Sequence, residues 1–332
     1  MKNRILAFIL LVAVTVLCLA SCADRYQTAI KKENKNHFLY LIAGLDDAAE
    51  NTDVIFTVGY DADNHVMTVA QIPRDTYLNF GSSQNKLNQL YASAVASGMD
   101  KNSAFARFAS GLERHFGVRF DGYLGIKLDA FKAVVERLGG LDIELSSDMT
   151  FSLDGEEKIK LKRGTNHITA KEAEVFVRYR SGYALGDLGR IDAQKLFLNA
   201  LFLKMSSGMS LPLIFDIVDI IENDAISDIS LSAVADLAMD AIGNKSEKTI
   251  LYATVPGEAT QSKYGVSYYV LNRKSAAEMA KRYMFAFREF DPDRRFVDRS
   301  SIAFSNIYDD TDIQIREYTA QSLNEMKIIE KR

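Results

Sequence analysis

The chain has 332 residues, 48% hydrophobic and 25% charged, which suffices for one large α/β domain with small appendages. A formal net charge of −4 excludes both the basic excess of a nucleic-acid binder and an acidic solvating tail. Both cysteines, Cys18 and Cys22, fall at the N-terminal end, so the body carries neither a disulfide nor a catalytic thiol, and the four histidines show no metal-ligand spacing.

Lys2 and Arg4 precede an uncharged apolar run from Ile5 to Ala20, followed by Ser21-Cys22 and polar Asp24 and Arg25. A basic start, a short apolar stretch and small residues before a break describe an export signal. The run is short for a membrane span, which needs about 20 residues. Its Leu-Ala-Ser-Cys ending resembles a bacterial lipobox, which implies cleavage before Cys22 and lipidation of the Cys22 thiol; an uncleaved N-terminal anchor helix is the alternative. Either arrangement sets the domain on the outer face of the cell membrane. Residues 23–36 are polar and read as a tether.

The globular body is expected over residues 37–288, with 289–332 as a charged, weakly patterned C-terminal extension. Phe38 to Ala43 reads as a buried strand. Val54 to Tyr60 and His65 to Ile72 are two more, joined by a loop with hairpin chemistry at Asp61-Ala62-Asp63-Asn64. Helices are expected over Lys86 to Ala96, Ser103 to Phe116 and Phe131 to Leu138, the last ending at Gly139-Gly140. Strands are expected over Tyr123 to Leu128, Leu141 to Leu145 and Lys158 to Leu161. Apolar periodicity predicts helices over 170–177, from Gly189 through Met205, over 211–221, over 231–242 and over 276–287. Strands are expected over 249–255 and 266–271. The order of elements predicts a three-layer α/β fold with a central mixed sheet covered by helices.

Three stretches carry candidate chemistry. Ile72-Pro73-Arg74-Asp75-Thr76 follows a strand directly, and Pro73 ends the ladder, so Arg74 and Asp75 are presented at a strand end, where open α/β sheets place ligands. Asp46 follows the first strand and Asp53 opens the second. Two carboxylates at neighbouring strand ends, near several arginines, suit a Mg²⁺ bridging phosphate oxygens, although spacing alone favours turn capping by either one. The window Ala170 to Gln194 holds Arg178, Arg180, Asp187, Arg190 and Gln194. Arg178 and Arg180 are two apart and share a direction if the segment is extended. Arg190 and Gln194 share a helix face, and Asp187 stands where a helix N-cap is expected. Guanidinium forks beside a helix start suit a phosphate or pyrophosphate. Solvated arginines with an Asp187–Arg190 surface pair are the competing reading. From residues alone the chain reads as an exported, phosphate-handling α/β domain.

The motifs as a set resemble the LytR–CpsA–Psr family of cell-wall glycopolymer ligases. They are GLD at Gly44 to Asp46, NTD at Asn51 to Asp53, IPRDT at Ile72 to Thr76, KLN at Lys86 to Asn88, LGGLDIEL at Leu138 to Leu145, then VRYRS and DLGRIDAQ. The resemblance covers Phe38 to Leu271. It implies transfer of a glycopolymer, such as a teichoic acid or capsular polysaccharide, from a polyprenyl pyrophosphate carrier to the C6 hydroxyl of peptidoglycan N-acetylmuramic acid, leaving a phosphodiester. By the same resemblance Arg74, Arg178, Arg180, Arg190 and Gln194 hold the pyrophosphate, Asp46 and Asp53 carry Mg²⁺ or Mn²⁺, and Asp187 orients the arginines or lies near the acceptor. Lys86 reaches the head group, and an apolar tunnel takes the prenyl chain. Two positions depart from the pattern, which has arginine where this chain has Asn51 and Ala193. A pyrophosphatase releasing the carrier lipid and a non-catalytic binder of prenyl-linked precursors are the alternative functions.

Overall fold

The computed structural model describes residues 37–46, 51–78, 86–152, 158–180, 182–184, 186–206, 212–213, 216–217, 219–220, 225–229, 249–261, 265–286 and 314–326. The expected signal, Cys22, the tether and the helix over 231–242 lie outside these residues. Among the described residues no helix is long and apolar enough to cross a membrane.

Strand β1 (His37–Leu45) sets the layering. Its side chains alternate, so Tyr40 and Ile42 enter one apolar core while Leu39, Leu41 and Ala43 enter another on the opposite face. A strand buried on both faces needs a helical layer above and below. Helices α1 (Gln89–Ala96), α2 (Lys101–Phe116) and α6 (Arg273–Tyr283) cover one face, through residues such as Tyr91, Phe105 and Met279. Helices α3 (Leu128–Arg137), α4 (Ala170–Arg178) and α5 (Asp187–Ser206) cover the other, through Val134, Phe176 and Leu196. The three-layer expectation therefore matches the structure.

The central sheet has seven strands. In spatial order they are β13 (Glu317–Thr319), β10 (Thr249–Thr254), β3 (Val66–Gln71), β2 (Thr52–Asp61), β1, β4 (Gly122–Lys127) and β9 (Ala225–Ser227). It is mixed: β1 runs parallel to β4 and β3 parallel to β10, while β2 is antiparallel to both β1 and β3. The carboxyl ends of β1, β3, β4 and β10 and the start of β2 consequently meet at one edge. Three two-stranded ribbons flank the sheet: β5 (Leu141–Leu145) with β8 (Gly164–Ile168), β6 (Met149–Phe151) with β7 (Ile159–Leu161), and β11 (Gly257–Gln261) with β12 (Ser267–Leu271).

Local differences from the sequence reading have plain causes. Lys86 lies outside a helix: it bridges to Tyr77, and α1 begins only at Gln89. The start of α5 is Asp187 itself, so this residue occupies the first helical turn and does not stand before it. The C-terminal stretch is not an appendage where it is described. β13 closes the sheet at the β10 edge, and helix α7 (Ala320–Asn324) packs on α5, where Asn199 Nδ2 donates to Ala320 O at 3.3 Å. Leu323 is completely buried in the core shared with α5. Leu323→Ala should therefore cost about 2–5 kcal/mol, the range for emptying a core leucine, measured by urea denaturation. A loss near zero would show that this segment does not belong to the core.

Candidate functional site

The site assembles where the α4–α5 connection folds back over the carboxyl edge of the sheet. Helix α4 opens with a capping box, Thr169 accepting from Glu172 N and Glu172 accepting from Thr169 N. It closes at Tyr179, whose extended backbone turns the chain away. Tyr183 then buries itself edge-on against Tyr179, with ring centroids 5.2 Å apart, and Phe151 meets Tyr179 at 5.4 Å. Two glycines permit the return. Gly186 adopts φ +56°, and a Cβ on Gly189 would sit 2.5 Å from Tyr183 Cβ, so only glycine lets α5 start this close to the tyrosine.

This return places three guanidiniums around one carboxylate. Asp187 Oδ1 lies 2.9 Å from Arg190 Nη2, 3.3 Å from Arg180 Nε and 3.9 Å from Arg74 Nε. Arg74 reaches in from the turn after β3 and pairs with Asp53 at 2.5 Å. Arg190 also donates to Asp53 O at 3.4 Å. The Arg190 side chain is only 4% exposed and that of Arg74 only 13%. Burial opposes the charge of Arg74, but the carboxylates of Asp53, Asp187 and Asp75 outweigh it and hold its pKa above the ordinary arginine value. For Arg190 burial wins, with Arg74 and Arg180 adding repulsion against the pull of Asp187 and Asp53, and its pKa falls.

Much of the hydrogen-bonding capacity is unspent. Arg74 Nε and Arg190 Nε are buried without an acceptor, and Asp187 Oδ1, although inside ion-pair range of three cations, accepts no well-aligned hydrogen bond. Arg190 Nη2 donates to Asp187 Oδ2 at 3.2 Å and Arg74 Nη1 donates to Asp53, so the cluster is held by hydrogen bonds and coulombic attraction together, with both Nε donors left over. Buried unpaired donors are costly unless something fills them, which fits a tetrahedral anion.

Not every expected residue joins the cluster. Arg178 is still helical, so it lies one turn beyond Glu174 and pairs with it at 2.5 Å, while Arg180 lies past the helix end and turns to Asp187. The shared direction expected for Arg178 and Arg180 therefore fails, because the segment is not extended at Arg178. Gln194 is buried and works as a brace: its Nε2 donates to Val177 O at 3.0 Å and its Oε1 accepts from Gln71 Nε2 at 3.4 Å. Gln71 escaped the sequence reading, although its place two residues before Pro73 at the end of β3 was a usable signal. Asp75 pairs with Lys86 at 3.1 Å while its charge still acts on Arg74.

The two departures from the family pattern acquire roles. Asn51 Nδ2 donates to Asp46 Oδ2 at 3.0 Å, holding that carboxylate. Ala193 is fully buried in the apolar core that α5 shares with its neighbours.

Beside the cluster lies an apolar cavity of about 150 Å³ between the sheet and helices α3 and α5. Ile42, Phe56, Phe131, Phe197, Leu201 and Phe202 form its walls. Asp46, Asp53, Arg178 and Gln194 form its polar rim. Among the described residues no group of three or more His, Cys, Asp or Glu could hold a metal by itself. Asp46 and Asp53 offer two carboxylates at the rim, each with one oxygen already engaged, by Asn51 and Arg74 respectively. That donor set fits Mg²⁺ only in its usual mode, one or two carboxylates completed by water and substrate phosphate.

Fold and site together define an α/β protein with an arginine cluster next to an apolar cavity, linked by Asp53, which pairs with Arg74 and lines the cavity. The LytR_cpsA_psr family model matches residues 19–284, and the chain belongs to that family. It is 28% identical over 214 residues to the polyisoprenyl-teichoic acid–peptidoglycan teichoic acid transferase TagV of Bacillus subtilis, a match covering 58% of this chain and 52% of that protein. The chain thus spans about half the length of that relative. A match to the transferase of the same description, TagU, from Bacillus mycoides is 26% identical over 238 residues, 69% of this chain and 72% of that one. Among solved structures, TagT bound to LI-WTA superposes with a TM-score of 0.62 at 23% identity over 77% of this chain and 94% of the other. That likeness shows a common fold.

Removing the shared carboxylate tests the cluster. Asp187→Asn strips Arg190 of its nearest counter-ion, and breaking a buried pair from one side costs about 3–5 kcal/mol when fully enclosed. Asp187 keeps some solvent contact, so a loss of about 2–3 kcal/mol is expected by urea denaturation. Inorganic pyrophosphate should restore more stability to the variant than it adds to the parent. A variant as stable as the parent, with no larger response to pyrophosphate, would contradict the arrangement.

Proposed function

We propose that this chain is an extracytoplasmic, membrane-anchored phosphotransferase that moves a glycopolymer from a polyprenyl pyrophosphate carrier to a sugar hydroxyl of peptidoglycan. The observation that carries this is the pairing of two surfaces: buried guanidinium donors without acceptors, and an apolar cavity beside them. An amphiphile with a pyrophosphate head and a hydrocarbon tail matches both. The teichoic acid transferases TagV and TagU support the same reading for the donor and acceptor classes.

The chemistry asks for placement and charge neutralisation more than for covalent participation by the protein. The acceptor oxygen attacks the sugar-linked phosphorus, a phosphodiester P–O bond forms, and the bridging P–O bond breaks to release polyprenyl phosphate. The acceptor proton leaves to a carboxylate, Asp75 or Asp187. Arg74, Arg180 and Arg190 neutralise the pyrophosphate, three cations against the carboxylates of Asp53 and Asp187. Asp46 and Asp53 would hold Mg²⁺ or Mn²⁺, which supplies further charge neutralisation at the phosphate oxygens when bound. Gln194 and Gln71 fix the angle between α5 and β3. Arg178, at the rim, steers the head group toward the cluster.

The cavity is small for a long lipid. An apolar space of this size takes a benzene-sized group, roughly one isoprene unit. The first unit is therefore gripped, and the rest of the chain runs outward or widens the gap between α3 and α5.

Incubating the full chain with Mg²⁺, a polyprenyl-pyrophosphoryl glycan and peptidoglycan separates the readings. A covalent phosphodiester between glycan and peptidoglycan supports transfer; free sugar phosphate indicates a pyrophosphatase, and binding without turnover a non-catalytic binder. Removing a transition-state donor typically costs about 10²–10³-fold in rate, so Arg180→Ala and Arg190→Ala should each lower turnover by at least about tenfold. Arg178→Ala, whose charge already rests on Glu174, should lose less. Unchanged rates in both Arg180→Ala and Arg190→Ala would overturn the assignment.

A further inference from the structure

Arg74 and Asp75 are consecutive, yet they take different partners. Arg74 joins the arginine cluster through Asp53, a residue of the cavity lining, whereas Asp75 pairs with Lys86, and neither Asp75 nor Lys86 lines that cavity. Beside this pair stands an aromatic wall. Lys86 Nζ lies 5.6 Å from the centroid of the Tyr268 ring, and Tyr77 meets Tyr268 edge to face at 5.2 Å. Tyr77 is fully buried, while Tyr268, Asp75 and Lys86 each keep part of their surface in solvent.

The group is held by backbone bonds. Tyr77 N donates to Tyr269 O at 2.9 Å, Tyr269 N donates to Asp75 O at 2.8 Å, and Leu87 N donates to Thr76 O at 2.9 Å. The β11–β12 ribbon is thereby stitched to the turn that presents Arg74, so the ring keeps a fixed position relative to the phosphate cluster.

A partly exposed aromatic ring beside a carboxylate and an ammonium is the chemistry that receives a pyranose. Sugar C–H bonds carry partial positive charge and settle on the negative ring face, while hydroxyl and acetamido groups reach the charged pair. An anion fits less well here, because Asp75 already neutralises Lys86. The direction of the reaction selects which sugar this is. Attacking and leaving oxygens lie in line at the transferred phosphorus. With the prenyl phosphate leaving on the cavity side, the nucleophile must arrive from outside the cavity, and Asp75, Lys86 and Tyr268 lie outside its lining, next in the chain to Arg74 in the case of Asp75.

We propose that Tyr268, with the Asp75–Lys86 pair beside it, is the acceptor subsite and takes an N-acetylhexosamine ring of the peptidoglycan glycan strand. This rests on the transferase reading above. The chain contains no tryptophan, so Tyr268→Trp installs a single fluorophore at the proposed platform. Full-chain Tyr268→Trp, titrated with uncross-linked peptidoglycan glycan oligosaccharides and no lipid donor, should show a saturable emission change. In sedimentation with insoluble peptidoglycan, Tyr268→Ala should bind about tenfold more weakly, equivalent to about 1.4 kcal/mol, while Tyr268→Phe keeps the ring and the affinity. A flat titration, or equal binding by the alanine and phenylalanine variants, would overturn the subsite, as would saturation by stem peptide lacking sugar. The two proposals fail separately. Glycan binding at this position without phosphodiester formation leaves the subsite standing and removes the transferase, whereas transfer with an unchanged acceptor KM in Tyr268→Ala does the reverse.

Discussion

The site depends on one carboxylate holding like charges together. Two guanidiniums about 4 Å apart at an effective dielectric near 20 repel by about 4 kcal/mol. Arg74, Arg180 and Arg190 come from a strand end, a loop and a helix, and nothing in those elements alone would hold them at one point. Asp187 does so from the first turn of α5, within 4 Å of all three. Asp187 accepts one hydrogen bond from Arg190, through Oδ2, and leaves Arg74 Nε and Arg190 Nε unpaired, so the cluster is assembled with donors to spare. A fully bonded arginine network would be more stable and less useful.

The rest of the domain supports that arrangement. The mixed sheet brings four carboxyl ends and the start of β2 to one edge, which delivers Arg74 and Asp53 as neighbours. The Tyr179–Tyr183–Phe151 aromatic group folds the α4–α5 connection back over that edge, and Gly189 allows the approach. Helix α5 then serves two purposes along its length: Asp187, Arg190 and Gln194 at the polar end, Phe197, Leu201 and Phe202 along the cavity. Its far side is fixed by the C-terminal α7 through Asn199, so the helix that bears the site is packed on both flanks.

Elements with a strong period were legible in the sequence. β1 alternates between two apolar cores, and α2 carries its apolar residues on one face, so both were placed within a few residues. Edge pieces were not legible: β9 and β13 are three residues each with mixed polarity, and pairing, which local pattern does not encode, makes them strands. The candidate site was legible as a set of residue types, since Arg74, Arg180, Asp187 and Arg190 do meet. Their sharing of Asp187, and the pairing of Asp75 with Lys86, follow from where strands end and could not be read from spacing. Arg178 depends on where the helix ends: expected over 170–177, α4 runs one residue further, which gives Arg178 the i,i+4 partner Glu174 and separates it from Arg180.

The central claim is that one ligand bridges the arginine cluster and the apolar cavity. Isothermal titration of the full chain with farnesyl pyrophosphate, inorganic pyrophosphate and farnesol tests it directly. Farnesyl pyrophosphate should bind more tightly than either half and should displace both. Pyrophosphate and farnesol binding independently, with farnesyl pyrophosphate no tighter than pyrophosphate, would show that cluster and cavity do not form one site.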